Sequence, residues 1–221
     1  MNLVSGGPAA ALVGVLPGVQ SSGVWTGRRQ IMVRFAGEAE TAVMYSAAAL
    51  ADEVRRLASR ARFHSIVLTG NDPLGNVECL KVALESAAPS LPVTVQCDGQ
   101  RPEAVRELAP LLSMVEVCSD GTAGATVLGG IYSTLGAARE SGLQHALALE
   151  PVEHTTDAQL LRLVEQSHAV SDLVSVVIHP EEPVGGGPLE SRWSDLLGQA
   201  AELHDDVRLV RRLRPARELR R

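Results

Sequence analysis

Polar side chains stand near the ends of several short apolar segments, where they could act together in proton transfer or cation binding. If these segments are β-strands, alternation places five such side chains on one face: Gln96, Glu116, Cys118, Glu150 and His179. Clustered carboxylates and an imidazole suit general acid/base catalysis, because histidine exchanges protons near neutral pH. We therefore predict Glu116, Glu150 and His179 as candidate catalytic residues.

Two other interpretations of this cluster stay open. Arg34, on the first of these segments, can reach the same interior and would then form a structural ion-pair network with the glutamates, because an unpaired buried charge is costly. Cys118, Glu150 and His179 could also hold zinc, but neither C-x-x-C nor H-x-x-x-H spacing occurs in the chain. We predict no metal site.

Composition limits the class of protein and its compartment. The net charge of −6 gives no support for nucleic-acid binding, and no apolar segment reaches the ~20 residues of a membrane span. Cys79, Cys97 and Cys118 are too few and too scattered for a disulfide framework. We therefore predict a reducing, cytoplasmic location, without nucleic-acid or membrane partners.

Short Val/Ile/Leu segments alternate with longer amphipathic ones, as in the βα units of a mostly parallel sheet. Strands are predicted at Gln30–Phe35, Ser65–Thr69, Val93–Cys97, Met114–Cys118, His145–Glu150, Leu173–His179 and Val207–Val210. Helices are predicted at Ala47–Arg60, Asn76–Ser86, Pro102–Leu112, Gly130–Ser141, Asp157–Gln166 and Leu189–Leu203. The carboxyl ends of parallel strands carry the ligand site in such folds, and the polar cluster lies there.

The sequence predicts a single domain over residues 1–221. It divides into an N-terminal segment and loop over 1–29, a βα core over 30–215 and a basic tail over 216–221. The glycine-rich stretch Glu181–Pro188 is predicted to be a mobile loop over the carboxyl ends of the strands.

Three segments together resemble motifs of the radical-SAM family, most closely its 7-carboxy-7-deazaguanine synthase branch. The first, Val19–Ala47, is similar to a family stretch that runs from QGEG through GRP and FVR to GCN-x-x-C-x-x-CDT. VLTGNDPL, Val67–Leu74, is similar to the TGGEP turn, and VTVQCDG, Val93–Gly99, to VETNG. The resemblance covers about residues 13–215 and implies a partial parallel (β/α)6-type barrel.

The chain departs from this family where an iron–sulfur cluster would be bound. An ungapped alignment puts Glu38, Ala42 and Tyr45 at the positions of the three cluster cysteines. A carboxylate, a methyl group and a phenol cannot replace soft thiolate ligands. We therefore expect no iron–sulfur cluster and no reductive cleavage of S-adenosylmethionine.

The resemblance also implies two sets of ligand-binding residues. Those implied to contact S-adenosylmethionine, which stays a candidate cofactor, are Thr69, Gly70, Asn71, Asp72 and Ser119. Those implied to contact a substrate are Gln20, Ser22, Gly23, Trp25 and Arg34.

The function expected from the sequence is that of a cluster-free pseudoenzyme, which acts by binding a small molecule or a partner in a specialised biosynthetic pathway. The resemblance implies a homodimer, or a complex with an active homologue. Two alternatives stay open: a non-radical enzyme using acid/base or S-adenosylmethionine chemistry in the barrel mouth, and a structural scaffold subunit.

Overall fold

The computed structural model describes residues 7–180 and 191–213, which form one nine-stranded sheet and six α-helices. The strands are β1 (Ala9–Val19), β2 (Arg29–Phe35), β3 (Val43–Ser46), β4 (Ser65–Gly70), β5 (Val93–Cys97), β6 (Met114–Ser119), β7 (Gln144–Leu149), β8 (Ser175–Ile178) and β9 (Val207–Leu209). The helices are α1 (Ala47–Arg60), α2 (Val77–Ala87), α3 (Pro102–Leu108), α4 (Ala125–Glu140), α5 (Asp157–Val170) and α6 (Ser191–Leu203). Short 3-10 segments at Pro73–Asn76 and Ala109–Leu111 lie before α2 and after α3.

The sheet is parallel over most of its width. Its strand order is β3-β1-β2-β4-β5-β6-β7-β8-β9, and each pair from β2 to β9 is parallel. β1 runs antiparallel to both β2 and β3. Within the described residues the two edge strands, β3 and β9, do not pair with each other. The predicted α/β class, with a parallel and unclosed sheet, is confirmed.

Apolar patterning explains why these elements form. The parallel strands are short Val/Ile/Leu runs, and β4 is buried from Ser65 to Leu68, as expected when helices cover a sheet. α1 buries the predicted stripe of Leu50, Val54 and Leu57. Local hydrogen bonds fix the helix starts: Ser46 accepts the Ala49 N–H before α1, and a reciprocal capping box begins α5.

The sequence-based strand prediction missed β1 and β3. β1 contains Gly14, Pro17 and Gly18, which normally interrupt strands. Pro17 is tolerated because β3 covers only Ala9–Leu12, so no ladder hydrogen bond is required on the outer side of β1 at Pro17. The predicted N-terminal segment over 1–29 therefore contains β1, which belongs to the same sheet as the predicted core.

The loop from Gln20 to Arg28, called the β1–β2 loop below, lies against one face of the sheet. Gln20 accepts a hydrogen bond from Gln30 of β2, and the Gly23 N–H donates to His179, just after β8. In a flat sheet β2 and β8 would be about 24 Å apart, at ~4.8 Å per strand. Gln20 and Gly23 are three Cα–Cα steps apart and span at most ~11 Å, so a flat sheet could be bridged only if every linking side chain were fully extended. The sheet therefore curves around the loop.

Two predicted features fall outside the described residues. These are the glycine-rich loop Glu181–Pro188 and the basic tail over 216–221. None of the helices in the described ranges is long and apolar enough to cross a membrane.

Candidate functional site

A cavity of about 470 Å³ opens at the carboxyl ends of the central strands; we call it the carboxyl-end cavity. The β1–β2 loop contributes Gln20, Ser21 and Ser22 to its wall. The end of β4 and the turn after it contribute a continuous stretch from Thr69 to Pro73. Side chains from the other strands and their ends complete the wall: Gln30, Met32, Val67, Gln96, Cys97, Asp98, Cys118, Glu150 and Arg212.

Seven of the predicted site residues line this cavity: Gln20, Ser22, Thr69, Gly70, Asn71, Asp72 and Glu150. Ser119 lines an adjoining cavity of about 530 Å³, which shares Asp98, Cys118, Glu150 and Arg212 with the first. The other predicted residues are not part of the wall. Gly23, Glu116 and His179 lie together behind the loop, Trp25 lies beyond it, and Arg34 is on the exterior.

Glu116 is fully buried and bound to the β1–β2 loop. Its side chain is 0 % exposed. One oxygen accepts the Val24 N–H at 2.7 Å, and the other accepts from Gln96 Nε2 at 2.6 Å and from Gln20 Nε2 at 3.4 Å. Burial raises the pKa of Glu116, although the hydrogen bonds from Gln96 and Val24 oppose this shift.

His179 binds the same loop from the opposite side. Its Nε2 accepts the Gly23 N–H at 2.7 Å, and Nδ1 donates to the Val210 carbonyl at 2.7 Å. This arrangement requires the neutral ring with its proton on Nδ1. Burial lowers the pKa of His179, which favours the same neutral form.

Glu116 and His179 therefore act as a clamp on consecutive N–H groups of the loop. The hydrogen-bonding groups predicted for acid/base work are already used in this clamp, and neither side chain lines the carboxyl-end cavity. Of the three predicted catalytic residues, Glu150 is the one on the cavity wall. Their catalytic role stays a prediction.

The predicted interaction between Arg34 and the buried glutamates is wrong. Arg34 is half-exposed and forms an ion pair with Glu40, which also accepts the Gly37 N–H at 3.0 Å. The turn after β2 brings Glu40 to the end of the strand, so the arginine is paired in solvent without the cost of burial. Glu116 is held by amide donors instead.

The carboxyl-end cavity is acidic. Glu150 pairs with Arg212 at 2.9 Å, and Asp72 accepts two hydrogen bonds from Arg101, one of them at 2.7 Å. Asp98 forms no ion pair within the described residues. Three carboxylates and one guanidinium line the cavity, and Arg101 behind the wall pairs with Asp72, so one negative charge, that of Asp98, stays uncompensated among the described residues. A positively charged ligand is favoured in such a site.

Both thiols on the cavity wall are held in the uncharged form. Burial raises the pKa of Cys97 to about 12, and burial also raises the pKa of Cys118 well above its ordinary range. The thiolate is the form that attacks electrophiles and binds metals. Within the described ranges, no group of three or more His, Cys, Asp or Glu side chains is arranged to hold a metal ion.

Gln30 forms the floor of the cavity and is incompletely hydrogen-bonded. Its side-chain nitrogen donates to Gln20 Oε1 at 2.7 Å and to Ser65 Oγ at 2.8 Å. Its carbonyl oxygen, Oε1, is buried and has no hydrogen-bond partner in the part of the chain that the structure describes. An unpaired buried acceptor costs about 1–3 kcal/mol. Because Gln30 is 0 % exposed, a ligand donor would reach this oxygen only after movement of the side chains that cover it.

Gln30 and Arg212 were missing from the predicted site. Arg212 falls in the predicted βα core over 30–215 and received no role, although it follows β9 on the edge where the other strand ends meet. Its place on that edge would have predicted that it lines the site. Gln30 is at the opposite end of β2, and only the curvature of the sheet brings it under the cavity.

The residues aligned with cluster cysteines lie away from the carboxyl-end cavity. Glu38 is in the turn after β2, Ala42 is exposed before β3, and Tyr45 is on β3. They are not on its wall. The absence of an iron–sulfur cluster stays a prediction.

Comparisons with known proteins do not assign a family. No family model matches the chain, and no curated protein matches it. A similar solved structure is that of a Coccidioides immitis protein provisionally described as a fructose-1,6-biphosphate aldolase, with 17% identity and a TM-score of 0.41. The match covers 72% of this chain and 62% of that one, so this chain spans less than two thirds of its length.

The predicted membership of the radical-SAM family is wrong, because no family model and no curated protein matches the chain. Two of the three motifs contain a glycine at the end of a strand, Gly70 as the last residue of β4 and Gly99 two residues after β5, and both adopt positive φ angles, 99° and 79°. Glycine adopts this conformation without steric cost, so backbone geometry alone explains these matches. The roles transferred from that family lose this support.

Proposed function

We propose that this chain binds a small, positively charged polar molecule in the carboxyl-end cavity. The volume of about 470 Å³ lies within the usual range of small-molecule sites. The cavity is at the end of the parallel strands where α/β proteins generally bind ligands. The site would hold its ligand mainly through hydrogen bonds and charge.

The observation that carries the proposal is the excess of carboxylates over guanidinium groups around an unpaired amide oxygen. Asp98 has no basic partner among the described residues, and Gln30 Oε1 has no donor. An ammonium or sulfonium group would be attracted to the first. Gln30 is 0 % exposed, so an N–H donor would reach its oxygen only after movement of the side chains that cover it. A positive charge is therefore the primary feature of the ligand, and an N–H donor the second.

S-adenosylmethionine has both features and is one candidate ligand. It combines a sulfonium, an ammonium and several N–H donors, whereas S-adenosylhomocysteine lacks the sulfonium charge. This candidacy rests on the charge of the cavity.

The experiment is a thermal-shift titration of the full chain with S-adenosylmethionine, S-adenosylhomocysteine and spermidine. A ligand at one hundred times its Kd adds about 2.7 kcal/mol, or roughly 5–10 °C in Tm for a domain of this size. We expect S-adenosylmethionine or spermidine to raise Tm more than S-adenosylhomocysteine, and Asp98→Asn to reduce the shift. No shift with any probe at millimolar concentration would contradict the proposal and favour a structural scaffold.

An acid/base enzyme is a second candidate, favoured by one observation. Glu116 has a raised pKa in a buried setting, which is a common property of catalytic acids. This role would require the β1–β2 loop to release the carboxyl group from Val24. Exchange of the Val24 amide proton faster than that of neighbouring buried amides would support such release.

Self-association and compartment complete the proposal. β3 is an edge strand whose Val43 and Met44 are exposed, and Leu16 of β1 is exposed nearby. Exposed apolar edge strands tend to pair with other chains, which supports a homodimer. The three free cysteines support a reducing, cytoplasmic location.

A further inference from the structure

A second cavity lies at the amino ends of the parallel strands, opposite the carboxyl-end cavity. Its volume is about 600 Å³, and we call it the amino-end cavity. Trp25 and Arg28 of the β1–β2 loop form one side, and Gln144 and His145 at the start of β7 form another. The two cavities have no lining residue in common.

Arg28 gives the amino-end cavity an uncompensated positive charge. Its guanidinium is exposed and forms no ion pair within the described residues, in contrast to Arg208, which binds Asp206 at 2.9 Å. The charge acts on its surroundings. Burial is the main cause of the lowered pKa of His64, and the charge of Arg28 is the second cause. An anion near Arg28 would therefore meet an attractive field.

Trp25 adds a planar apolar surface beside this charge. The ring is partly exposed on the cavity wall and contacts His64 edge-on, with 4.6 Å between the ring centroids. Both ring nitrogens of His145 are already bonded, to the Leu143 carbonyl and to Ser171 Oγ. The groups available to a ligand therefore include an indole and a guanidinium.

We propose that the amino-end cavity is a separate binding site for an aromatic anion, whose ring packs on Trp25 and whose phosphate or carboxylate binds Arg28. An aromatic ring on indole contributes through buried area and stacking geometry. A guanidinium binds phosphate and carboxylate through two parallel hydrogen bonds. Neither contact depends on the occupancy of the carboxyl-end cavity.

The test is calorimetric titration of the full chain with adenosine monophosphate, benzoate, adenosine and inorganic phosphate. The first two probes carry both a ring and an anion, and they distinguish a phosphate ligand from a carboxylate ligand. Adenosine lacks the anion, and phosphate lacks the ring. We expect one of the first two to bind, and adenosine and phosphate each to bind about tenfold more weakly.

Two matched variants locate the site. Arg28→Gln should weaken the binding of the preferred probe about tenfold, whereas Arg62→Gln, an exposed arginine outside the cavity wall, should leave it unchanged. Trp25→Leu should weaken the same probe and leave the weak binding of phosphate unaltered. The proposal is overturned if neither aromatic anion binds, if Arg28→Gln has no effect, or if adenosine binds as tightly as adenosine monophosphate.

Discussion

His179 accepts the Gly23 N–H on Nε2 at 2.7 Å and so links two residues that lie 156 positions apart in the chain. Glu116 accepts the next N–H, that of Val24, at the same distance. These two hydrogen bonds hold a loop whose first residues line the carboxyl-end cavity and whose later residues line the amino-end cavity. The shape of both cavities therefore depends on the clamp.

Gly23→Ala should destabilise the protein more than Gly27→Ala. Both glycines have positive φ angles, 93° and 86°. A Cβ on Gly23 would overlap the Glu116 carboxylate, whereas a Cβ on Gly27 would meet nothing within 4 Å. We expect costs of about 3 kcal/mol and about 1 kcal/mol, measured by urea unfolding. Equal costs would mean that Gly23 is not packed against Glu116.

Glu116→Ala should cost about 2–4 kcal/mol, because it leaves the Val24 N–H and the amides of Gln96 and Gln20 without their acceptor and creates a cavity. Glu116→Gln keeps the shape and the acceptor for the Val24 N–H, and Gln96 can turn its amide to accept from the new NH2 group. Among the described residues, no cation faces the carboxylate. We expect it to cost less than about 1 kcal/mol. Glu153→Ala, at an exposed site, is the control. A loss of several kcal/mol in Glu116→Gln would point to a buried ionic partner.

His179 should make the protein less stable in mild acid. Its folded-state pKa lies below the ordinary value of 6.5, so the unfolded chain takes up a proton first as pH falls. Its stabilising contribution is complete above pH 6.5 and is lost as pH falls toward the folded-state pKa, by at most about 1.4 kcal/mol per pH unit. The raised pKa of Glu116 acts in the opposite direction, because its contribution is lost as pH rises through the folded-state value.

A variant separates the two effects on stability. His179→Gln should flatten the fall in unfolding free energy between pH 7.5 and pH 5.5 relative to the unmodified protein, whereas His154→Gln, at an exposed position, should not. Identical pH profiles for all three proteins would show that His179 is not buried in its neutral form.

Met44→Glu should abolish self-association if β3 forms the dimer edge. Met44 is 67% exposed on this edge strand, and a carboxylate there would repel its counterpart or face an apolar partner surface. Sedimentation velocity should then give a monomer, while Val82→Glu on α2 should stay dimeric. A monomeric unmodified protein would contradict the homodimer.

The secondary structure was largely predictable from local pattern. Val93–Cys97 and Ala47–Arg60 have the boundaries predicted for them, because apolar alternation and helical spacing are properties of adjacent residues. β1 was not predictable in this way. Gly14, Pro17 and Gly18 normally interrupt a strand, and they are tolerated here because of how β1 pairs with β2 and β3, which local sequence does not reveal.

The candidate site was predictable in part. Strand parity correctly placed Gln96 beside Glu116, because neighbouring parallel strands put both on one face. The path of the β1–β2 loop was not predictable, because it depends on contacts between residues 92 and 156 positions apart. Because of that path, Glu116 and His179 bind the N–H groups of the loop, and Trp25 lines the amino-end cavity.

The most direct measurement of the central claim is the ratio of the reaction rates of Cys118 with cationic and anionic methanethiosulfonate reagents. It is made in a Cys79→Ala, Cys97→Ala background, because Cys97 lines the same cavity. Rates are normalised to those of a free thiol, and the raised pKa of Cys118 slows both reagents alike, so their ratio reports the local field. We predict that the trimethylammonium reagent reacts about tenfold faster than the sulfonate reagent, and that Asp98→Asn reduces this preference. Equal normalised rates, or faster reaction of the sulfonate reagent, would contradict a site for positively charged ligands.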